Sequence, residues 1–459
     1  MKFKQLTLAI SAALLANGAM AASNIMPVGS NLGYGDAGNI NSVFAIANNP
    51  AWVSANLQNE NNYGLGLSAG LLVKQNAFSD LYNQYQDNVD PILKKMDENA
   101  NSGQNQSVAL ATDLKTQVNN LVLDVRDKFY TQFNGNFSLP IQISHNTFGG
   151  IGMELSGLAQ GRERLLSSNR PVEIDANYLL QNPNASRDDI VNNGLIIQSA
   201  LYTKTAQYAE GALTYGNQFY ENEYGTLSVG IRAKFMQAKL RKVINDLGTY
   251  LKSNDDVGAQ ISDDISNTLE EGDFENAVGF DIGVMWLNPN WKAGFTLLNV
   301  NSPSFNYNTL GVGPITDNQA NVERFYAGQI DLSEKVELKI QGRLEGAIYT
   351  KDNHWTLAGS IDTNESNDLL NNPYQWATVS ASYATAATLD EWWYALVPDF
   401  RIGYRANLTG DERTYITPGF TWGPVNLDIA FHSFEDFSKT SEDDLPEGFA
   451  VNLGLELYF

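Results

Sequence analysis

Apolar and polar residues alternate along most of this chain with a period of two. The first clear run is 62–73, where Tyr63, Leu65, Leu67, Ala69, Leu71 and Val73 alternate with Gly64, Gly66, Ser68 and Gly70. That period predicts a β-strand with one apolar face and one small or polar face. The same pattern returns in 225–238 (Leu227, Val229, Ile231, Ala233, Phe235), 277–287 (Val278, Phe280, Ile282, Val284, Trp286) and 336–348 (Val336, Leu338, Ile340, Leu344, Ile348). It continues in 399–408, 414–422, 425–432 and the final run, Phe449 to Phe459. Counted through, about 12–16 segments of about ten residues emerge, the length a tilted strand needs to cross a bilayer.

Two stretches break the rhythm. Residues 76–128 carry helical spacing, as in Leu114, Val118, Leu121, Val125 and Phe129, and predict an insertion of about two helices. Residues 245–275 form an acidic insertion, helical or irregular, with Asp255, Asp256, Asp263, Asp264, Glu270 and Glu271. Residues 22–61, rich in Gly, Asn and Ala, read as an irregular segment ahead of the first strand. No domain boundary follows residue 62.

Alternation does not say which way the faces point. A soluble sandwich turns its apolar faces inward, whereas a membrane barrel turns them to lipid. Three features favour the barrel. The polar faces are rich in Gly and Ser. Their charges have both signs and can pair across a lumen: Arg232, Lys234, Asp281, Lys339, Arg343, Glu345, Arg401, Arg405 and Asp428 are the lumen-facing candidates. Aromatics gather near strand ends, at Trp286, Trp291, Trp355, Trp376, Trp392, Trp393, Tyr394, Trp422 and Tyr458, as a belt at headgroup level would. Lipid offers no hydrogen-bond partners, so a sheet crossing it must close on itself.

Composition agrees. Among 459 residues only 18% are charged and 11% are aromatic, and the formal charge is −23. That charge argues against nucleic acid as a partner, because counterion-release binding needs clustered Lys and Arg. There is no cysteine, which removes thiol catalysis, disulfides and cysteine zinc sites. The first 21 residues read as an export signal: Lys2 and Lys4, the apolar run Leu6 to Leu15, and Ala19-Met20-Ala21 at the cleavage point. The last strand ends on Phe459, which together with an export signal looks like the mark read by the barrel assembly machinery.

Catalytic motifs are weak. Gly33 to Gly38 spells GxGxxG, but no strand precedes it as a dinucleotide loop requires. Gly66 to Gly70 spells GxSxG, yet Ser68 sits in mid-strand, and His145, His354 and His432 cannot be placed beside it. The acidic run Glu435, Asp436, Glu442, Asp443 and Asp444 lacks the spacing of a calcium loop. The expectation is no enzyme, no metal and no cofactor. Asn48, Asn49, Pro50, Ala51 and Trp52 are different. They form either a segment that folds back into the barrel as a plug or a plain lead-in with a turn at Asn49-Pro50.

The Asn49-Pro50-Ala51 element resembles the long-chain fatty-acid transporter (FadL-like) superfamily. Three further stretches, Gly225 to Phe235, Asp281 to Asn299, and Phe400 to Leu408 with Val425 to Ala430, are similar to outer-membrane proteins labelled conjugal transfer protein TraF. The resemblance implies an all-β, monomeric transmembrane antiparallel barrel of about 14 strands with an N-terminal hatch, in the outer membrane of a Gram-negative cell. It also implies passive passage of small hydrophobic compounds, with the helical insertion at 76–128 covering the extracellular mouth. The rival expectation is a closed barrel that displays its loops to a partner, in conjugation or elsewhere.

Overall fold

The computed structural model describes residues 27, 29–35, 37, 42–55, 62–102, 107–126, 128–145, 148–252, 257–352, 354–384, 398–434 and 447–459. The expected export signal lies outside them, as do Asp255, Asp256, Trp392, Trp393, Tyr394 and the acidic run from Glu435 to Asp444.

Fourteen antiparallel strands close into one barrel. They are β1 (Asn62–Asn76), β2 (Tyr130–His145), β3 (Gly149–Ile174), β4 (Leu195–Asn222), β5 (Gly225–Asp246), β6 (Glu275–Asn288) and β7 (Trp291–Leu298). The second half comprises β8 (Gln341–Tyr349), β9 (Trp355–Asp362), β10 (Trp376–Tyr383), β11 (Asp399–Asn407), β12 (Thr414–Trp422), β13 (Val425–Phe431) and β14 (Gly448–Tyr458). Each strand pairs with its neighbour in sequence, and β14 returns to β1 from Gly64↔Tyr458 to Lys74↔Gly448. In the span common to all fourteen strands no edge is left free, which is what a sheet in hydrocarbon requires.

The two faces are inverted relative to a soluble protein. Leu155 on β3 is 55% exposed and its neighbour Glu154 is 3% exposed. Phe235 on β5 is 54% exposed while Lys234 is 2% exposed. Leu344, Leu357, Val379, Ile402, Leu453 and Leu455 continue the outward apolar band around the wall. This is a transmembrane β-barrel, stabilised by apolar side chains in acyl chains and by polar side chains paired with one another inside.

The two ends differ. The start of β1, the C-terminal Phe459 and the tight turns lie at one end, the near end. There Gly423 takes φ +55° between β12 and β13, a backbone region that glycine enters without a side-chain clash. Exposed Tyr63, Tyr224, Trp291, Trp355, Trp422 and Tyr458 sit at these near strand ends. Trp376 does not join them: it is buried at the far end of β10, with the Arg405 guanidinium 4.1 Å from its ring.

Apart from 384–398, most of which lies outside the described residues, the long insertions lie at the far end, where β3, β4 and β5 continue well beyond the other strands. The insertion at 76–128 consists of α4 (Phe78–Gln84), a π-helical turn (Tyr85–Val89), α5 (Asp90–Ser102) and α6 (Ser107–Val125). The acidic insertion forms α7 (Leu247–Lys252) and α8 (Val257–Glu270). These helices do not lie over the mouth. Leu114, Val118 and Leu121 of α6 and Ile261 and Ile265 of α8 pack with Phe133, Ala159, Leu165 and Leu201, which point outward from β2, β3 and β4. An outward apolar wall above the lipid needs cover, and the helices provide it.

The mouth is filled instead by 299–340 and 363–375. Phe305, Tyr307, Val336, Leu338, Leu369 and Leu370 pack inside the barrel against Leu158, Tyr208, Met236 and Leu240. Here the structure corrects the reading of 336–348 as one strand. Residues 335–337 pair with 304–306 inside the mouth, and β8 begins only at Gln341. Val336 is fully buried inside, while Leu344 and Ile348 face out. The apolar side chain at 336 is drawn inward by the layer around Phe305, which local alternation cannot foresee.

Candidate functional site: a filled lumen and a far-end vestibule

The described residues of 27–55 lie inside the near half of the barrel. They make three short helical turns, α1 (Asn31–Tyr34), α2 (Ala45–Asn48) and α3 (Trp52–Ala55), and their side chains are almost all buried. These turns are too short to be stable alone. Contacts with the wall hold them. Glycines on the lumen face of several strands leave the space. A Cβ on Gly230 would stand 2.3 Å from the Pro50 carbonyl carbon, and one on Gly150 would stand 1.9 Å from the Val53 carbonyl oxygen. On Gly283 it would meet Asn49 Oδ1 at 2.0 Å. Glycine is required at these wall positions because backbone and segment approach so closely.

Wall side chains satisfy the segment's backbone. Ser144 Oγ donates to the Val53 carbonyl at 2.7 Å and Gln142 Nε2 donates to it at 3.2 Å. Ser380 Oγ donates to the Tyr34 carbonyl at 2.9 Å, and Ser360 Oγ to that of Gly35 at 2.7 Å. Gly33 N–H donates to Asp428 at 3.1 Å and Val43 N–H to Glu456 at 2.8 Å. Gly29 N–H donates to Ser68 Oγ at 3.0 Å. The hydroxyl in the GxSxG string therefore anchors the segment from mid-strand. His145 stacks on Phe148, and His354 and His432 pair with backbone carbonyls near strand ends.

The five residues singled out ahead of β1 sit at the centre of this contact. Asn49 Nδ2 donates to Glu345 Oε1 at 2.9 Å and to the Val284 carbonyl at 3.2 Å, while its Oδ1 accepts from Ala51 N–H at 3.0 Å. Lys292 Nζ stands 4.1 Å from the centre of the Trp52 ring. Asn48 is buried beside them, and Pro50 abuts Gly230 and Gly283.

Of the charged residues expected to face the lumen, Arg232, Lys234, Asp281, Arg343, Glu345, Arg401, Arg405 and Asp428 are buried inside the wall. Arg232 Nη2 lies 2.7 Å from both Glu154 and Glu210, and Lys234 Nζ lies 2.7 Å from Asp281. Arg343 pairs with Asp362 at 2.8 Å and Arg401 with Asp428 at 2.6 Å. Lys339 departs from the set. It precedes β8, is partly exposed and pairs with Glu365 at 3.2 Å, because the chain enters the wall only at Gln341. Phe459 ends the chain exposed beside Tyr63, with which it exchanges backbone hydrogen bonds of 2.9 and 3.3 Å.

Sequence reading missed Glu154 and Glu210, the acids that neutralise Arg232. The signal was there: Glu154 shares its parity with Gly150, Gly152 and Ser156, opposite Ile151, Met153 and Leu155. It also missed the far-end vestibule. Cavities of about 410 and 370 Å³ share Arg162 and Asn372, and so meet above the apolar layer of Leu158 and Phe305. Within the vestibule Lys204 Nζ lies 2.7 Å from Glu334, and Lys242 lies 3.6 Å from the same carboxylate. Burial alone would raise the Glu334 carboxyl, but the two lysines and the Asn371 amide hold it below its ordinary value.

A family model described as "F plasmid transfer operon, TraF, protein" matches residues 46–362, from α2 through the wall to the end of β9. The chain belongs to this family. Among curated proteins no sequence matches it. Solved structures similar in fold include a Pseudomonas aeruginosa FadL homologue, at 12% identity and a TM-score of 0.38 over 96% of this chain and 97% of that one. The Ralstonia pickettii toluene transporter TbuX is similar at 8% identity and a TM-score of 0.38, over 92% and 95% of the two chains. The P. putida toluene transporter TodX gives 11% and 0.38, over 91% and 94%. The matched range takes in the Asn48–Trp52 element and the glycines at 150, 230 and 283.

Proposed function

We propose that this protein is a passive outer-membrane channel for small compounds, kept shut at its near, periplasmic end by its own residues 27–55. Mostly short turns at one end, with 384–398 the exception, and long loops at the other are the bacterial outer-membrane pattern, with the short turns periplasmic. The observation that carries the reading is how the segment is held. It fills the lumen through single hydrogen bonds and glycine contacts, with no strand pairing to the wall among the described residues. Such a seat can be vacated without unzipping the barrel.

The cargo extends to hydrophobic compounds, as the family resemblance implies. A recess of about 560 Å³ on the lipid side of β2–β6 suits them. It is lined by Leu139, Met153, Leu155, Leu213, Phe235 and Val278 around Gly211, whose missing side chain makes the dent. A closed display scaffold is the second reading, favoured by the apolar layer of Phe305, Val336 and Leu369 that fills the far mouth. Planar-bilayer recording separates the two. The channel reading expects discrete openings from the full chain and a larger steady current when residues 27–55 are deleted. A silent deletion variant that still folds would leave only the scaffold.

A further inference from the structure

Arg162 and Arg164 stand two residues apart on β3, on the same lumen-side parity, both lining the vestibule. Among the described residues neither has a carboxylate partner. Arg162 donates to the Asn372 side-chain carbonyl and lies 4.8 Å from the Tyr130 ring centre. Arg164 donates to the Gln329 backbone carbonyl at 3.1 Å and lies 5.1 Å from the Tyr202 ring centre. The Nε atoms of both are buried with no hydrogen-bond partner. Lys204 is spent on Glu334 and Lys74 on Asp411, at 2.7 and 2.8 Å, while Asp331 lines the same cavity without an ion pair to either arginine. Asp368 is occupied by the backbone of Leu370 and Asn372.

In a chain of net charge −23, two neighbouring guanidiniums that hydrogen-bond only to neutral groups, with Asp368 and Glu334 nearby but not paired to them, call for a chemical reason. Guanidinium forks match carboxylates bidentately, and a guanidinium resting on a tyrosine keeps its other face free to stack. Lumen-side residues two apart on a strand are separated by roughly 7 Å, so the pair suits two anionic groups better than one. The side-chain amides of Asn371 and Asn372 border the same space.

We propose that the vestibule binds small organic anions with an aromatic body and two carboxylates, each carboxylate gripped by one of Arg162 and Arg164. This deepens the channel reading by naming what its far mouth holds. It adds a polar, charge-selecting step ahead of the apolar layer at Phe305.

The test is calorimetric titration of terephthalate into the full chain in detergent at low salt, with toluene and inorganic phosphate as comparisons. Terephthalate is expected to bind saturably and more tightly than either comparison. Binding should weaken about tenfold or more in Arg162→Gln/Arg164→Gln, since charged hydrogen bonds are lost. The single Arg164→Lys keeps the charge but not the fork, and should weaken it by a smaller factor. No saturable binding to the folded protein, or equal affinity in the double variant, overturns the proposal. Bilayer current is read on the same preparation. A conducting barrel that ignores terephthalate overturns this inference alone, and one that binds it but never conducts overturns the channel alone.

Discussion

Asn49 and Glu345, 296 positions apart in sequence, meet inside the barrel at 2.9 Å. The amide belongs to the inner segment and the carboxylate to β8. This is a charge-assisted hydrogen bond shielded from water, and it ties the segment to the wall opposite its entry. Asn49→Ala removes it, together with the bond to Val284. A bond of this kind is worth about 1.5–3 kcal/mol. The open fraction in bilayer recordings should therefore rise about tenfold or more, with no change in the gel migration of the folded barrel.

Gly230 gives a steric version of the same test. The Pro50 backbone occupies the space where a side chain would begin. Gly230→Leu is expected to expel the segment while the outward face of β5 stays as it is. Protease added to the periplasmic side should then cleave within 27–55 in the variant and leave the wild type intact.

Arg232 is the charge on which the lumen's ion network centres. It faces Glu154 and Glu210, and its Nη1 also donates to the Ala47 carbonyl at 3.3 Å. Arg232→Met leaves two buried carboxylates uncompensated, at a cost of about 3–5 kcal/mol. The urea midpoint of the heat-modifiable gel form should fall. A triple variant that also carries Glu154→Gln and Glu210→Gln should recover much of the loss.

Glu334 makes the mouth acid-sensitive. Its carboxyl is held below the ordinary value by Lys204 and Lys242, so these pairs stabilise the folded mouth above the unfolded carboxyl pKa. That contribution is lost as pH falls through the lowered folded value. Hydrogen-exchange protection in 326–337, corrected for the intrinsic rate at each pH, should fall in acid. In Glu334→Gln it should already be low at neutral pH and change little on acidification.

The sequence carried the wall well because each spanning strand has two opposed environments. Lipid outside and paired charge inside force the period of two seen in β1, β5, β6 and β14. It carried less where that contrast fades. The upper parts of β3 and β4 have helices on one side and loops on the other, so Ala159, Leu165, Leu201 and Tyr208 are all buried and the alternation is lost. Residues 335–337 mislead for a related reason, since their apolar side chain serves the interior of the mouth. Asn49 was legible as part of a turn element, but Glu345 as its partner was not. A contact across 296 positions leaves no local pattern. Arg162 and Arg164 were invisible as a pair because their meaning lies in what is absent around them.

A reducible cross-link reads the gate directly. The Asn49 and Glu345 side chains meet at 2.9 Å, so cysteines at the two positions lie within reach of a short bifunctional thiol reagent, and the chain has no other thiol to compete. Single-channel current is recorded from Asn49→Cys/Glu345→Cys, cross-linked through disulfides to such a reagent, before and after reduction. Openings absent in the cross-linked protein and restored on reduction are the predicted result. Equal current in both states would contradict a channel gated by residues 27–55.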